Sequence, residues 1–436
     1  MRFSVLSFGC RANQAESCQI ERDLRAAGGV PASSDSADVV VVNTCSVTST
    51  ADAASRRAIR SVARANPRAQ IVATGCYATR KPDDLARLPG VMRLVPNAGK
   101  PLIARTIASG VISGPHDRED HARDGSQEHR RPEIAPDAMS IGLRPGDRGR
   151  TAYPLNVQTG CDEQCAYCIV PSTRGPGRSR SVAQVVDEVR RLAEAGFREL
   201  WLTGVHLGSY GRDLAPPCRL IDLVRMLDRE AAALDVTFRL SSLEPMDCSD
   251  EVIDLVAHSS RFSPHLHLPL QHASDRMLAA MRRPYTAAQF RAIVERAREQ
   301  MPDAAIGTDV IAGFPGETER DFSELERFLY EISPSYLHVF PYSDRPGTAA
   351  FDMSSKVPAR VVQQRARRLR DVARDLSARF AEGQIGKERA ALTLDDGSVA
   401  LTDNYLKLRI ERGRGRNERV RVRLVSAQPP RGEVVA

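Results

Sequence analysis

Along the first 110 residues, short apolar runs alternate with longer amphipathic stretches. Runs at 2–8, 39–43 and 71–74 have the length and the Val, Ile and Leu content of strands, while 15–27 and 51–65 space their apolar residues as helices do. This alternation predicts an α/β fold, beginning with a small doubly wound parallel sheet over 1–112. The pattern stops at 113–146, where Asp, Arg, His, Glu, Gly and Pro dominate, as in a linker or surface insertion. It resumes over 147–382 as six strand-then-helix units. Strands are expected at 153–159, 199–204, 236–241, 265–269, 306–312 and 336–340, with helices such as 182–195 and 287–301 between them. Six units suit a partial (β/α)6 barrel better than a closed eight-stranded one. An Arg-rich helix at 358–382 closes this part, and short alternating segments over 383–436 predict a small all-β module.

Composition narrows the class. With 42% hydrophobic and 27% charged residues in 436, and no apolar run of membrane-spanning length, a disordered chain and a membrane-spanning one are both excluded. The N-terminal segment MRFSVLSFGCRANQAES is interrupted at Gly9, Cys10 and Arg11 before it could form a secretory apolar core, so a cytoplasmic location is expected. Nine cysteines, an odd number, point to reduced thiols available for metal or catalysis rather than to a disulfide framework. The net charge of +7 is uneven: from Lys356 onward there are 19 Lys and Arg against 10 Asp and Glu. A solvated basic helix and a nucleic-acid contact both account for such a tail.

Three cysteines stand together in QTGCDEQCAYCIVPSTRGPGRSR, directly after the first barrel strand. Cys161, Cys165 and Cys168 can wrap one face of a metal centre from a single loop, at the strand end where barrel enzymes place their chemistry. Zinc would want a fourth closed ligand, which this loop does not offer. A [4Fe-4S] cluster with one open iron fits the set better. A second set is scattered: Cys10, Cys45 and Cys76 each terminate one of the three expected N-terminal strands. Ligands of open α/β sheets gather beyond the carboxyl ends of strands, so these three can converge on a second cluster, although each alone reads as an ordinary small buried residue. Cys18, Cys218 and Cys248 share no such arrangement.

The CxxxCxxC loop, with Tyr167 before its third cysteine, resembles that of the radical S-adenosylmethionine superfamily. The whole chain apart from 113–146 resembles the methylthiotransferases of that superfamily, which join an N-terminal three-cysteine domain, a radical barrel and a C-terminal RNA-associated TRAM module. FGCRANQAES around Cys10 and the loop RGPGRSR look most like the MtaB-type branch. The resemblance implies two [4Fe-4S] clusters and two uses of S-adenosylmethionine: one molecule yields a 5′-deoxyadenosyl radical at the Cys161/Cys165/Cys168 cluster, and another supplies a methyl group. The N-terminal cluster would deliver sulfur. The product would be 2-methylthio-N6-threonylcarbamoyladenosine, made at C2 of the base next to the anticodon of tRNA. The resemblance further implies an external electron donor such as flavodoxin or ferredoxin, and a sulfur donor it does not identify. Rival readings are an isopentenyl-type tRNA adenosine, a ribosomal-protein side chain, or a non-enzymatic iron–sulfur RNA-binding protein.

By the same resemblance, Gly204 in LTGVHLGSYG, and Ile311 and Gly313 in TDVIAGFPGETERDF, would contact S-adenosylmethionine, with Tyr167 and Arg174 beside them, while Ser241 and Glu244 in RLSSLEP fall near the expected barrel mouth, where a capping or solvated pair also accounts for them. Arg174, Arg178 and Arg180 could grip a carboxylate or RNA phosphates, and capping by Thr318 is a ligand-free account of the helix that follows Glu317. His206, His265, His267 and His272 lie near strand ends without metal-binding spacing. In HLPLQHASDRML, His272 and Ala273 stand where relatives commonly carry Ser-Gly, and the C-terminal module is short and Arg-rich for a TRAM domain.

Overall fold

A computed structural model describes residues 1–110 and 143–435, so most of the 113–146 stretch lies outside the described residues. The chain divides into two compact units, Met1–Leu143 with Ser172–Arg174, and Arg144–Pro171 with Gly175–Ala436.

The first unit contains β1 (Arg2–Ser7), α1 (Arg11–Ala26), β2 (Val30–Pro31), β3 (Val39–Thr44), α2 (Ser49–Ala65), β4 (Gln70–Gly75), α3 (Cys76–Arg80), α4 (Pro82–Ala86), β5 (Val91–Val95) and α5 (Ile103–Ala108). The strands form one parallel sheet in the order β2-β1-β3-β4-β5. β3 is buried at every position, because a central parallel strand covered on both faces needs a continuous run of β-branched residues rather than alternation. Val40, Val42, Ile71 and Ala73 pack on one face, and Phe3, Val5, Val39, Val41 and Val72 on the other. The first helix starts four residues earlier than its apolar spacing suggests. Cys10 occupies the N-cap in extended conformation, and Ala12 and Asn13 are buried although their neighbours are polar.

The second unit opens with β6 (Tyr153–Asn156), β7 (Gln158–Thr159), the start of α6 (Val170–Arg174), whose residues Ser172–Arg174 belong to the first unit, β8 (Arg178–Ser179), α7 (Val182–Glu194), β9 (Glu199–Thr203), α8 (Leu220–Glu230), β10 (Thr237–Leu240) and α9 (Asp250–His258). There follow β11 (His265–His267), α10 (Asp275–Ala280), α11 (Ala287–Gln300), β12 (Ala305–Ala312), α12 (Glu319–Ile332), β13 (Tyr336–Pro341) and α13 (Ala359–Glu382). Two parallel three-stranded sheets, β6-β9-β10 and β11-β12-β13, are joined by bridges from Phe238 to Phe262 and from Ser242 to His267. The result is the expected six-stranded partial barrel. The expected strand 153–159 is broken in two, and its second piece, β7, pairs antiparallel with β8. Helices α7, α11 and α12 each begin on a reciprocal capping box, Ser181 with Gln184, Thr286 with Gln289 and Thr318 with Asp321, which sets where the chain turns back after a strand.

The same unit ends in β14 (Glu388–Leu394), β15 (Val399–Thr402), β16 (Lys407–Arg409), β17 (Arg419–Ala427) and β18 (Pro430–Val435), which close into a small barrel around Ala391, Ala400, Leu408, Ile410, Val420, Val422 and Leu424. Its β15–β16 turn reaches the floor of the larger barrel. Arg239, fully buried, donates to the carbonyls of Asp403 (2.8 Å) and Thr402 (3.2 Å) and pairs with Glu199 at 3.3 Å. Its guanidinium lies 5.2 Å from the Trp201 ring centre and 5.4 Å from that of Tyr405, and the Tyr405 ring contacts those of Trp201, His265 and Tyr336. Among the described residues no helix is long and apolar enough to cross a membrane.

Replacing Arg239 with Leu leaves Glu199, which keeps the Trp201 indole N–H at 2.6 Å, without its cation and strands two carbonyls in a dry environment. Chemical denaturation of the variant should reveal a loss of about 3–5 kcal/mol, and an unchanged midpoint would refute a bracing role for this side chain.

Candidate metal centres

In the first unit, the carboxyl ends of three adjacent strands each deliver one cysteine. Cys10 follows β1, Cys45 follows β3, and Cys76 opens α3 directly after β4. All nine cysteines of the chain are free thiols. Cys10 makes no capping hydrogen bond with its side chain. The approach is tight enough to dictate the preceding residues. Gly9 sits at φ +89°, and a Cβ there would lie 2.4 Å from both Cβ and Sγ of Cys45. Gly75, at φ +99°, would drive a Cβ to 2.2 Å from the Thr44 carbonyl oxygen. Asn13, fully buried, donates to the carbonyls of Phe8 (2.8 Å) and Thr44 (2.9 Å), pinning together the ends of β1 and β3. Asn43 in turn donates to Asn13 O and Ser17 Oγ. The loop after Cys45 is held by Arg80, which reaches Ser46 and Asp52 at 2.7 Å each. Burial pushes the Cys45 thiol up to about 11, so loading a metal there must displace its proton. Three free thiols on one edge, with glycines clearing the space between them, are a donor set that fits three irons of a four-iron cluster and leaves the fourth open.

In the second unit, the loop after β7 carries the other set. Cys161 N donates to Gly175 O and Cys168 N to Cys165 O, folding the loop back on itself. Burial raises the Cys168 thiol to about 12 and also raises Cys165. Gln158, buried, ties this loop to the strand beside it. Its Nε2 donates to Gly160 O, and its Oε1 accepts from the backbone of Val205 (3.0 Å) and His206 (2.9 Å). A Cβ on Gly204 would come within 3.0 Å of that same Oε1. Ser241 is buried just beyond β10, and Ile311 packs with Ala166, Met277 and Phe314 beside the half-buried Tyr167. Gly204, Ser241, Ile311 and Tyr167 are thus gathered at the carboxyl-end face that carries the CxxxCxxC loop, and this donor set too fits three irons of a four-iron cluster.

Arg174 and Gly313 each have partners within the protein. Arg174, which belongs to the first unit, is bound there to Glu16 (2.6 Å) and Asn13, so its guanidinium is engaged within that unit. The Gly313 N–H donates to Glu317 (2.8 Å), whose other oxygen accepts from Arg365 of α13 at 2.7 Å. Glu317 is therefore an anchor for the long helix, while Thr318 caps α12 as the ligand-free reading expects. Arg180 is likewise spoken for by Glu188 (2.5 Å) and Asn156 O, whereas Arg178 is exposed.

Two residues that the sequence did not single out for the site stand against the cysteine loop. Arg283 donates to Cys165 Sγ at 3.0 Å and to Glu244, and its Nε reaches Tyr285. His206 lies 3.9 Å from Cys161 Sγ and 2.7 Å from Asp247. Burial disfavours its cation, yet Asp247 and Cys161 more than offset this and lift His206 to about 10. The only sequence signal for either was position: a histidine two residues beyond Gly204, and an arginine after the HASDRML segment. Lower in the barrel, Asp309 bridges His267 (2.9 Å) and His338 (3.0 Å). Burial opposes its charge, but the two imidazoles outweigh that and hold its carboxyl well below the usual range.

A six-stranded partial barrel with a CxxxCxxC loop after its first strand defines a radical S-adenosylmethionine enzyme, and residues 155–329 match the model of the radical SAM superfamily. Residues 2–96 match the uncharacterized protein family UPF0004. The chain is 35% identical to the threonylcarbamoyladenosine tRNA methylthiotransferase MtaB of Aquifex aeolicus over 94% of this chain and 97% of that protein. It is 34% identical to the tRNA-2-methylthio-N(6)-dimethylallyladenosine synthase of Thermobifida fusca, over 90% of this chain and 78% of that one. It is also 30% identical to the ribosomal protein uS12 methylthiotransferase RimO of Desulfotalea psychrophila, over 94% and 90%. The chain belongs to the radical S-adenosylmethionine methylthiotransferase family, whose cofactors are S-adenosylmethionine and [4Fe-4S] clusters. The fold is also that of the radical methyltransferase TsrM from Kitasatospora setae, at a TM-score of 0.56 and 16% identity, over 80% of this chain and 73% of that one.

Gly9→Ala should place a methyl group where Cys45 sits and force a left-handed backbone on alanine. Anaerobic reconstitution should then load about half the iron of the wild type, as two four-iron sites become one. Full iron content would refute the packing argument.

Proposed function

We propose that this chain inserts sulfur and a methyl group at C2 of N6-threonylcarbamoyladenosine in tRNA, giving 2-methylthio-N6-threonylcarbamoyladenosine next to the anticodon. The observation that carries this reading is the second three-cysteine set, Cys10, Cys45 and Cys76, on a sheet separate from the one that bears Cys161, Cys165 and Cys168. A C2–H bond has no acidic proton for a side chain to remove, so substitution there calls for radical chemistry, which the bound cluster and S-adenosylmethionine supply. Cys161, Cys165 and Cys168 would hold that cluster, with Arg283 and His206 against its sulfurs and Gly204, Ser241, Tyr167 and Ile311 lining the cofactor. Cys10, Cys45 and Cys76 would hold the cluster that supplies sulfur. Flavodoxin or ferredoxin, small low-potential proteins, would provide electrons. The choice of threonylcarbamoyladenosine over a prenylated base or a protein side chain rests on the names of the most similar relatives.

The basic tail supports an RNA substrate, though through fewer groups than its composition suggests. On α13, Arg365 and Arg368 face inward to Glu317, Glu319 and Glu326, and Arg374 pairs with Asp371. Arg360, Arg367 and Arg370 remain on the exposed face, and Lys407, Arg409 and Arg431 are exposed on neighbouring strands of the small barrel. These six are among the groups from which phosphates would displace counterions.

Nucleoside mass spectrometry tests the assignment: tRNA from a strain lacking this protein should lose 2-methylthio-N6-threonylcarbamoyladenosine and accumulate its unthiolated precursor. Loss of the prenylated product instead would overturn the substrate. Cys10→Ala should still form 5′-deoxyadenosine from S-adenosylmethionine but no methylthiolated tRNA, and product at wild-type level would remove that set from the reaction. Reversing Arg360, Arg367 and Arg370 to Glu should weaken tRNA binding and flatten its log–log salt dependence by about 0.9 per lost phosphate contact, with iron content unchanged. An unaltered slope would reduce the helix face to a solvated one.

A further inference from the structure

Behind the thiols of the first unit lies an ionic cluster that the reaction as argued above does not use. Arg174 forks onto both oxygens of Glu16, at 2.6 and 3.2 Å, and also reaches Asn13 Oδ1. Lys100 Nζ meets the same Glu16 carboxylate. The side chains of Arg174 and Lys100 are 2% and 7% exposed, so both cations are withdrawn from water. Arg174 and Lys100 hold Glu16 down at about 2 against the opposing effect of its burial, so the carboxylate stays ionised at any working pH. Two cations face one anion, and the cluster keeps a surplus positive charge in a low-dielectric setting, where such a surplus is costly unless something anionic lies close by.

The cysteine edge is what lies close by. Arg174 interacts electrostatically with Cys76, Cys10 and Cys45, and Lys100 with Cys76. Asn13 links the two structures physically, since it accepts from Arg174 and donates to the carbonyls of Phe8 and Thr44, the residues flanking Gly9–Cys10 and Cys45. Asn97 forms a second link: its Nδ2 donates to Thr173 O at 2.7 Å and lies 3.6 Å from Cys76 Sγ. Charges and hydrogen bonds around the sulfurs of an iron–sulfur cluster are what set its potential.

We propose that Arg174 and Lys100, oriented by Glu16, act as positioning residues that hold up the reduction potential of the centre bound by Cys10, Cys45 and Cys76. This inference rests on the reading that those three cysteines carry an iron–sulfur cluster. Reduction adds one electron to the centre, so a fixed buried cation nearby stabilises the reduced form more than the oxidised one, and a fixed anion does the opposite. Because the guanidinium is planar and forked onto Glu16, its charge is held at one place rather than on a mobile stem.

The experiment uses the full chain with Cys161, Cys165 and Cys168 all changed to Ala, so that only the N-terminal centre is loaded, and follows reduction potentiometrically by electron paramagnetic resonance. Arg174→Gln and Lys100→Gln should each lower the midpoint, Glu16→Gln should raise it, and Arg174→Lys should leave it near that of the parent. A purely structural role would move all four variants the same way or lower their iron without moving the midpoint. Shifts of one sign only, or an unmoved midpoint at full iron content, would overturn the proposal. Should Arg174→Gln fail to load iron, Lys100→Gln against Glu16→Gln supplies the same opposed pair. A parent that holds no iron at all would instead overturn the cluster reading beneath it.

Discussion

In a parallel sheet every strand leaves by the same edge, so the segments that follow the strands are gathered on one side however far apart they lie in sequence. Both units of this chain exploit that geometry. In the first, Cys10, Cys45 and Cys76 share no local motif, yet the register of β1, β3 and β4 places them side by side. In the second, the cysteine loop, the Gly204 turn, Ser241 and Ile311 come from four different strands and reach one face. The cost falls on the turns. A chain that must end a strand and present a thiol within two residues bends sharply, and Gly9 and Gly75 are the positions where that bend leaves no room for a side chain.

A second regularity concerns buried arginines. Arg174 with Glu16, Arg239 with Glu199, Arg283 with Glu244 and Arg365 with Glu317 are each a guanidinium, 6% exposed or less at its side chain, set on a glutamate. Desolvation roughly cancels what such pairs gain, so apolar replacements could be as stable. What an apolar pair could not do is fix direction. Two of these forks point donors or charge at cysteine sulfur, one at the backbone of the small β barrel and one at the strand-to-helix turn after β12.

The elements with strong periodicity were readable from the sequence alone: the Val-rich β3, the six barrel strands and the long α13. The two cysteine sets were legible as candidates, one from its spacing and the other from where strands end, and Cys10, Cys45 and Cys76 do stand at the ends of β1, β3 and β4. Long-range side-chain partners were not legible. Arg174 sits in a loop rich in Gly and Arg, but its partner Glu16 lies 158 positions away in the chain. A contact at long range leaves no trace in local pattern. Arg283 was missed for the same reason, and His206 was noted only for lying near a strand end, since nothing beside either in sequence announces a sulfur 3 to 4 Å away. The N-terminus of α1 was misplaced because burial there belongs to Asn13, a polar residue that periodicity discounts.

The insertion of Tyr405 and its neighbouring carbonyls beneath the larger barrel bears on how this protein can be taken apart. Thr402, Asp403 and Tyr405 complete a floor whose other members are Trp201, Arg239, His265 and Tyr336. The terminal β barrel is thus not a detachable appendage. A chimera that grafts the tail of a relative onto this catalytic barrel inherits a mismatched floor unless the strand residues beneath it travel too, and evolutionary exchange of terminal β barrels within such a lineage would be constrained to co-exchange of both surfaces.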